Sequence, residues 1–169
     1  MDVKEGAKMA TLERVEKMLT EKGFDIVAKD FDRPWGGFFV INEEQAREFI
    51  EAFYIGSRFA SLAGVQKISP KFLVVEPGMR LSWQYHNRRS EVWRVYEGVV
   101  GVVRSATDEQ SEPVEVQEGE QVVIALGQRH RLVGMDDYGI VAEIWQHSIS
   151  DEPSDEADIV RLEDDFGRN

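Results

Sequence analysis

Residues Gly78 to Gly98 read GMRLSWQYHNRRSEVWRVYEG, and the fold is decided by how that run alternates. Side chains of a strand point to opposite faces in turn, so Gln84 and His86 share one face while Trp83 and Tyr85 share the other. The polar turn Asn87-Arg88-Arg89-Ser90 then leads into Glu91-Val92-Trp93-Arg94-Val95, a second alternating run that returns Glu91 to the same interior, with Trp93 on its face. An amide, an imidazole and a carboxylate thus fall within eight residues at the spacing of metal ligands.

Working outward, the same texture continues. Short strands are expected at Lys71 to Glu76, Leu81 to His86, Glu91 to Tyr96, Val99 to Ser105, Val114 to Gln117, Gln121 to Ala125, Arg129 to Val133 and Ile140 to His147, separated by Gly, Pro and charged turns. Strands so spaced imply an antiparallel sandwich or barrel. A second polar cluster lies in Gly119 to His130, where a strand and a glycine turn lead to His130, on the same face as Leu132. Two of the three histidines sit in these two clusters.

Upstream, Leu12, Val15, Met18 and Leu19 fall at helical spacing between Thr11, a candidate N-cap, and Gly23, a helix stop, while residues 1 to 8 read as frayed. The narrow apolar face suits either the body of the domain or a second subunit. Phe24 to Ala28 and Gly37 to Ile41 read as strands flanking a Pro34 and glycine turn. Asn42, with Gln45 three residues on, resembles a capping box and opens a helix whose stripe Ala46, Phe49, Ile50 and Phe53 reads as core. Gly56 to Pro70 has no clear assignment. The expected organisation is a helical extension at 1–30, a barrel at 31–150 with a helical insertion near 43–55, and an acidic tail at 151–169.

At 169 residues the chain can bury a core as one domain. With no cysteine, disulfides, thiolate metal sites and cysteine nucleophiles are excluded. Thirty-two acidic against twenty basic residues give a formal charge of -12, which repels nucleic acid and anionic membrane surfaces, so neither is expected as a partner. No apolar run reaches membrane-spanning length and the N-terminus lacks a signal-peptide pattern, which makes a cytoplasmic location the expectation.

The two clusters resemble the two cupin motifs. The first fits at every spacing through Gly78, Gln84, His86, Glu91 and Gly98. The second fits through Gly119, Gly127 and His130, with Ala125 in place of the usual proline and Gly134 in place of the usual asparagine. Gln84, where most metal cupins have histidine, makes the set resemble the zinc site of mannose-6-phosphate isomerases. The wider text resembles the C-terminal isomerase domain of the bifunctional (type II) enzymes: Arg33 to Gly36, Lys71, Val75 to Gly78, Leu81 to His86, Arg89, Glu91 with Trp93, Asp158 to Asp164, and Phe166 to Arg168. Residues 1 to 30 and a longer Glu43 to Ser69 block are departures. Nothing matches the guanylyltransferase part, so no nucleotide chemistry is expected.

The resemblance implies a mostly β single cupin barrel (a double-stranded β-helix, or jelly roll) with added N-terminal helices. It implies a divalent metal held by Gln84, His86, Glu91 and His130, most simply Zn2+, with Fe2+, Mn2+, Co2+ and Ni2+ also compatible. It implies a phosphorylated sugar as substrate and isomerisation of mannose 6-phosphate to fructose 6-phosphate through an enediol. Lys71 and Arg89, and less directly Arg161, are the catalytic candidates for stabilising charge and positioning phosphate; the general base is not assigned. A homodimer is also compatible, because cupin barrels often pair through their sheets. Two other functions fit the same ligands: an iron-dependent oxygenase using His86, Glu91 and His130, and a non-catalytic metal- or sugar-binding cupin. Taken singly, Lys71 and Arg89 also read as surface salt-bridge partners, Arg88 and Arg131 as solvated charges, and His147 as a sheet residue.

Overall fold

The computed structural model describes residues 2–54, 67–148 and 151–168. Helix α1 spans Val3–Glu21 and starts earlier than the periodicity of its apolar face predicts. Asp2 is the reason: its carboxylate accepts from the Glu5 amide at 2.7 Å and satisfies an otherwise unpaired donor of the first turn. Thr11 therefore lies inside the helix, its hydroxyl donating to the Ala7 carbonyl at 2.9 Å. Gly23, at φ +88°, ends the helix as expected.

Two antiparallel strands, β1 (Ile26–Arg33) and β2 (Gly36–Ile41), follow, then a single 3-10 turn at Glu43–Gln45 and helix α2 (Ala46–Phe53). The chain continues as β3 (Ile68–Val75), β4 (Trp83–Tyr85), β5 (Arg89–Glu97), β6 (Val100–Ser105), β7 (Val114–Val116), β8 (Gln121–Ile124), β9 (Arg129–Gly134), β10 (Gly139–His147) and β11 (Val160–Glu163). Of the unassigned stretch 56–70, residues 56–66 lie outside the described residues, and Ile68 to Pro70 open β3.

The strands form a six-stranded sheet, β1-β2-β3-β10-β5-β8, and a five-stranded sheet, β11-β4-β9-β6-β7, paired antiparallel throughout. From β3 onward the chain switches sheets at every step except β6 to β7, which makes the expected mostly β jelly-roll barrel. Leu73, Val75, Trp93, Val95, Val122, Leu132 and Val141 belong to the core between the sheets. The alternate residues of the same strands, Phe72, Val74, Val92, Ile140, Ala142 and Ile144, pack in a second cluster with Leu12, Val15 and Leu19 of α1 and Phe49, Ile50 and Phe53 of α2. The larger sheet is thus apolar on both faces, and α1 covers it rather than remaining free for a second subunit. Tyr54 closes this layer, its hydroxyl 3.0 Å and 2.6 Å from the Val92 and Ala142 carbonyls.

Three sequence expectations are corrected here. Asn42 does cap the short turn, accepting from the Glu44 amide at 3.0 Å, but Gln45 does not complete a capping box. Its Oε1 instead accepts from the Asp25 amide at 2.7 Å and ties the α1–β1 connection to the α2 start. The stretch expected as an acidic tail does not hang free, because β11 pairs with β4 and completes the smaller sheet. Arg131, read as solvated, is fully buried. It donates to the Leu81 carbonyl at 2.9 Å and lies 3.7 Å from Glu163 and 3.9 Å from Asp165, so the acidic residues of the last segment are what draws it onto the barrel. Among the described residues no helix is long and apolar enough to cross a membrane.

Candidate metal centre

Strand register puts the sequence-predicted residues in two rows. In the smaller sheet Arg161 of β11 pairs with Gln84 of β4, and Gln84 with His130 of β9. In the larger one Lys71 of β3 pairs with Glu143 of β10, and Glu143 with Trp93 of β5. Trp93 meets His130 edge to face across the barrel, ring centroids 5.6 Å apart. Gln84, Arg89, Glu91, Lys71 and Arg161 all line one cavity between the rows, together with Glu143 and Glu156.

His86, Glu91 and His130 each offer a ligand atom within 4.8 Å of the others, and each is at most 2% exposed. Both imidazoles are fixed in one tautomer. His86 Nδ1 donates to the Asp158 carbonyl at 2.7 Å and His130 Nδ1 to the Gln128 carbonyl at 2.8 Å, which leaves each Nε2 lone pair turned inward. His130 Nε2 is buried without a hydrogen-bond partner. A buried acceptor left unpaired is costly, and a divalent ion satisfies it, so these residues fit a metal.

The charges agree. Burial pushes the His130 imidazole down to about 4, so it stays neutral and able to ligate. Burial also pushes the Glu91 carboxyl up, but the opposing charges beside it, the Arg89 guanidinium among them, outweigh it and hold the carboxyl well below its ordinary value. Gln84 is placed beside this group, its Nε2 3.5 Å from His86 Nε2 and its Oε1 accepting from the Ser82 hydroxyl at 2.5 Å. Rotating the terminal amide turns the oxygen to the centre and lets the nitrogen donate to Ser82 instead.

Arg89 and Lys71 are buried, 5% and 6% exposed, and not surface salt-bridge residues. Arg89 donates to Glu91 Oε2 at 2.9 Å, to Ser154 Oγ at 2.8 Å and to His86 Nε2 at 3.1 Å, with its guanidinium 3.6 Å from the centroid of the Trp145 ring. Lys71 meets Glu156 at 3.0 Å, its ammonium lying between the rings of Phe38 and Trp145. His147 lies beneath, its Nε2 2.7 Å from Ser69 Oγ and its Nδ1 accepting from the Ser154 amide at 2.9 Å.

Residues 42–164 match the family described as mannose-6-phosphate isomerase, C-terminal. The chain belongs to that family. Xanthan biosynthesis protein XanB of Xanthomonas campestris pv. campestris is 31% identical over 137 residues, 80% of this chain but 23% of XanB, so the chain spans about a quarter of the length of the curated relatives it matches. Among solved structures, an oxalate oxidase shares a TM-score of 0.47 and 19% identity over 56% of this chain and 46% of its own. A Cupin 2 conserved barrel domain protein from Salinispora arenicola has a TM-score of 0.40 and 22% identity over 46% of this chain and 61% of its own.

Two departures of this mannose-6-phosphate isomerase family member from the cupin motifs have local causes. Ala125, at the proline position, keeps an amide that donates to Gln128 Oε1 at 2.9 Å, and the Gln128 carbonyl is the one that orients His130. Gly134, at the asparagine position, has the Glu76 carbonyl where a Cβ would stand.

Sequence reading missed Glu143 and gave Asp158 no role beyond its place in the Asp158 to Asp164 segment. Glu143 is 4% exposed, and its two oxygens accept from the Trp145 and Trp93 indoles at 2.8 Å each. Burial and then the Glu91 carboxylate push it up to about 8. A buried acid at alternating parity in Ile140 to His147 was a signal available in the strand pattern. Asp158 accepts from the Asn87 and Arg88 amides at 3.0 Å and 2.9 Å and from Ser154 at 2.6 Å, holding the β4–β5 turn as well as His86.

Proposed function

We propose that the chain is a metal-dependent sugar-phosphate isomerase that converts mannose 6-phosphate to fructose 6-phosphate, with Zn2+ held by Gln84, His86, Glu91 and His130. The observation that carries this reading is the unpartnered Nε2 of buried His130, gathered with His86 and Glu91, while Glu91 and Gln84 also line a cavity rimmed by basic side chains. The family and the relative named for xanthan biosynthesis support a role in sugar metabolism. When bound, the ion supplies a Lewis acid that polarises the sugar's carbonyl and hydroxyl oxygens.

The chain's own residues supply the rest. The proton to be moved leaves C2 and returns at C1, while a hydroxyl proton passes from O2 to O1, so substrate and product contain the same atoms. Glu143 is the group for the carbon-bound proton: it faces the cavity, and the indoles of Trp93 and Trp145 hold both its oxygens. Lys71, against Phe38 and Trp145, places positive charge on the same wall, where it offsets the charge that develops on the sugar oxygens. Ser154 and Asp158 hold Arg89 and His86 from the last segment.

The reading is tested by incubating the zinc-loaded protein with mannose 6-phosphate in deuterated water and following C2 by NMR. Exchange at C2 with formation of fructose 6-phosphate is expected. No exchange with the metal fully loaded, there or with other hexose and heptose phosphates, overturns it. A two-histidine, one-carboxylate iron site is favoured by one detail, that His86, Glu91 and His130 form a ligand group without Gln84. Stoichiometric iron on elemental analysis, with oxygen consumption, would establish that reading in place of zinc.

A further inference from the structure

Five basic side chains, Arg33, Lys71, Arg89, Arg161 and Arg168, line the cavity beside three carboxylates, in a chain of formal charge -12. Four of the five have a carboxylate of their own. Arg33 lies 3.1 Å from Asp30, Lys71 3.0 Å from Glu156, Arg89 2.9 Å from Glu91 and Arg168 2.8 Å from Asp164. Arg161 makes no ion pair among the described residues. Its Nε is buried without a hydrogen-bond partner, and its Nη1 reaches only the Arg168 carbonyl at 3.4 Å. Asp164 is nearby but committed, bound by the Arg168 amide, Nε and Nη2 at 2.6 to 2.9 Å.

A guanidinium does not lose its proton in a protein, so a half-buried one beside like charges stays cationic and asks for an anion. Burial first, and then the Arg168 charge, disfavour the cation at Arg161. We propose that Arg161, flanked by Arg33 and Arg168, is the anion subsite of this cavity and binds the phosphate monoester of the substrate.

The proposal deepens the sugar-phosphate reading and rests on it for the identity of the ligand. It moves the phosphate away from Arg89 and Lys71, which are already held by Glu91, Glu156 and Trp145. Register adds a preference. Arg161 is one strand from Gln84 and two from His130, roughly 10 Å at ordinary strand spacing. That separation suits a sugar phosphorylated at the end remote from its reacting carbonyl, and not one phosphorylated at the carbonyl carbon.

The test is titration of the metal-loaded protein with inorganic phosphate and then with mannose 6-phosphate, by calorimetry. Arg161→Gln is expected to weaken both about tenfold or more with metal content unchanged, and Arg33→Gln to weaken them less. Glu156→Gln, which removes negative charge from the rim, strengthens them. Phosphate affinity unchanged in Arg161→Gln, or lost only in His130→Ala as for an anion sitting on the metal, overturns the subsite; absence of phosphate binding to the parent chain does so too. If phosphate binds through Arg161 and no sugar phosphate exchanges its C2 proton, the subsite stands and the isomerase reading falls.

Discussion

At the scale of single residues, the candidate ligand group holds its side chains by hydrogen bonds and leaves one acceptor, His130 Nε2, without a partner. Gln128 and Asp158 carbonyls take the Nδ1 protons of His130 and His86, so both rings are fixed before any ion arrives. His130 is the sharpest probe because its Nε2 has no other partner. His130→Ala is expected to lower metal content well below one per chain by elemental analysis, and full occupancy would remove His130 from the ligand set. Glu143→Gln separates proton transfer from metal binding: it keeps one of the two indole acceptors, and it is expected to keep the metal content and lower the rate of C2 exchange by about 10²-fold to 10⁴-fold. Loss of metal in that variant would instead make Glu143 a structural partner of Glu91.

At the scale of elements, α2 and the last segment carry most of what the barrel adds to its strands. Phe49 is fully buried and meets Phe72 of β3 edge to face, ring centroids 5.7 Å apart, and Phe53 at 4.8 Å. Phe49→Ala is expected to cost about 3–5 kcal/mol, read as a lowered urea midpoint. The C-terminal segment is held by charge as well as pairing. Arg168 holds the Asp164 carboxyl down at about 2, so its contribution is complete above the ordinary aspartate value and is lost as pH falls through 2. Asp164→Asn should therefore be less stable than the parent at pH 6 and converge with it towards pH 2 in urea melts. Parallel curves would assign the pair no role in acid stability. The strands from β2 to β10, the Phe49 stripe and the grouping of His86, Glu91 and His130 were legible because each is written in strand and helix spacing, whereas β1 runs on to Arg33 and β11 was not foreseen. The neighbours of Glu143 and Arg161 were not, because the pairing of β10 with β3 and of β11 with β4 joins residues about seventy or more positions apart. The fate of Arg131 was hidden for the same reason, since its acidic partners lie in a segment that reads as solvated when taken alone.

At the scale of the whole molecule, the candidate centre joins the two sheets. His86 follows β4 and His130 lies in β9 of the smaller sheet, while Glu91 comes from β5 of the larger. An ion bound to all three ties the sheets together in the folded chain and finds no such set in the unfolded one, so metal binding is also a stability term. Free Zn2+ at about 100 times its dissociation constant should add about 2.7 kcal/mol, which for a chain of this size raises the melting temperature by roughly 5–10 °C. Chelation should reverse the shift, and His130→Ala should abolish it. The 32 acidic residues supply a built-in control, because weak adsorption of Zn2+ to surface carboxylates is common to both proteins. An equal shift in the parent chain and in His130→Ala would mean that the ion acts on that surface, and that the two sheets are held by their cores alone.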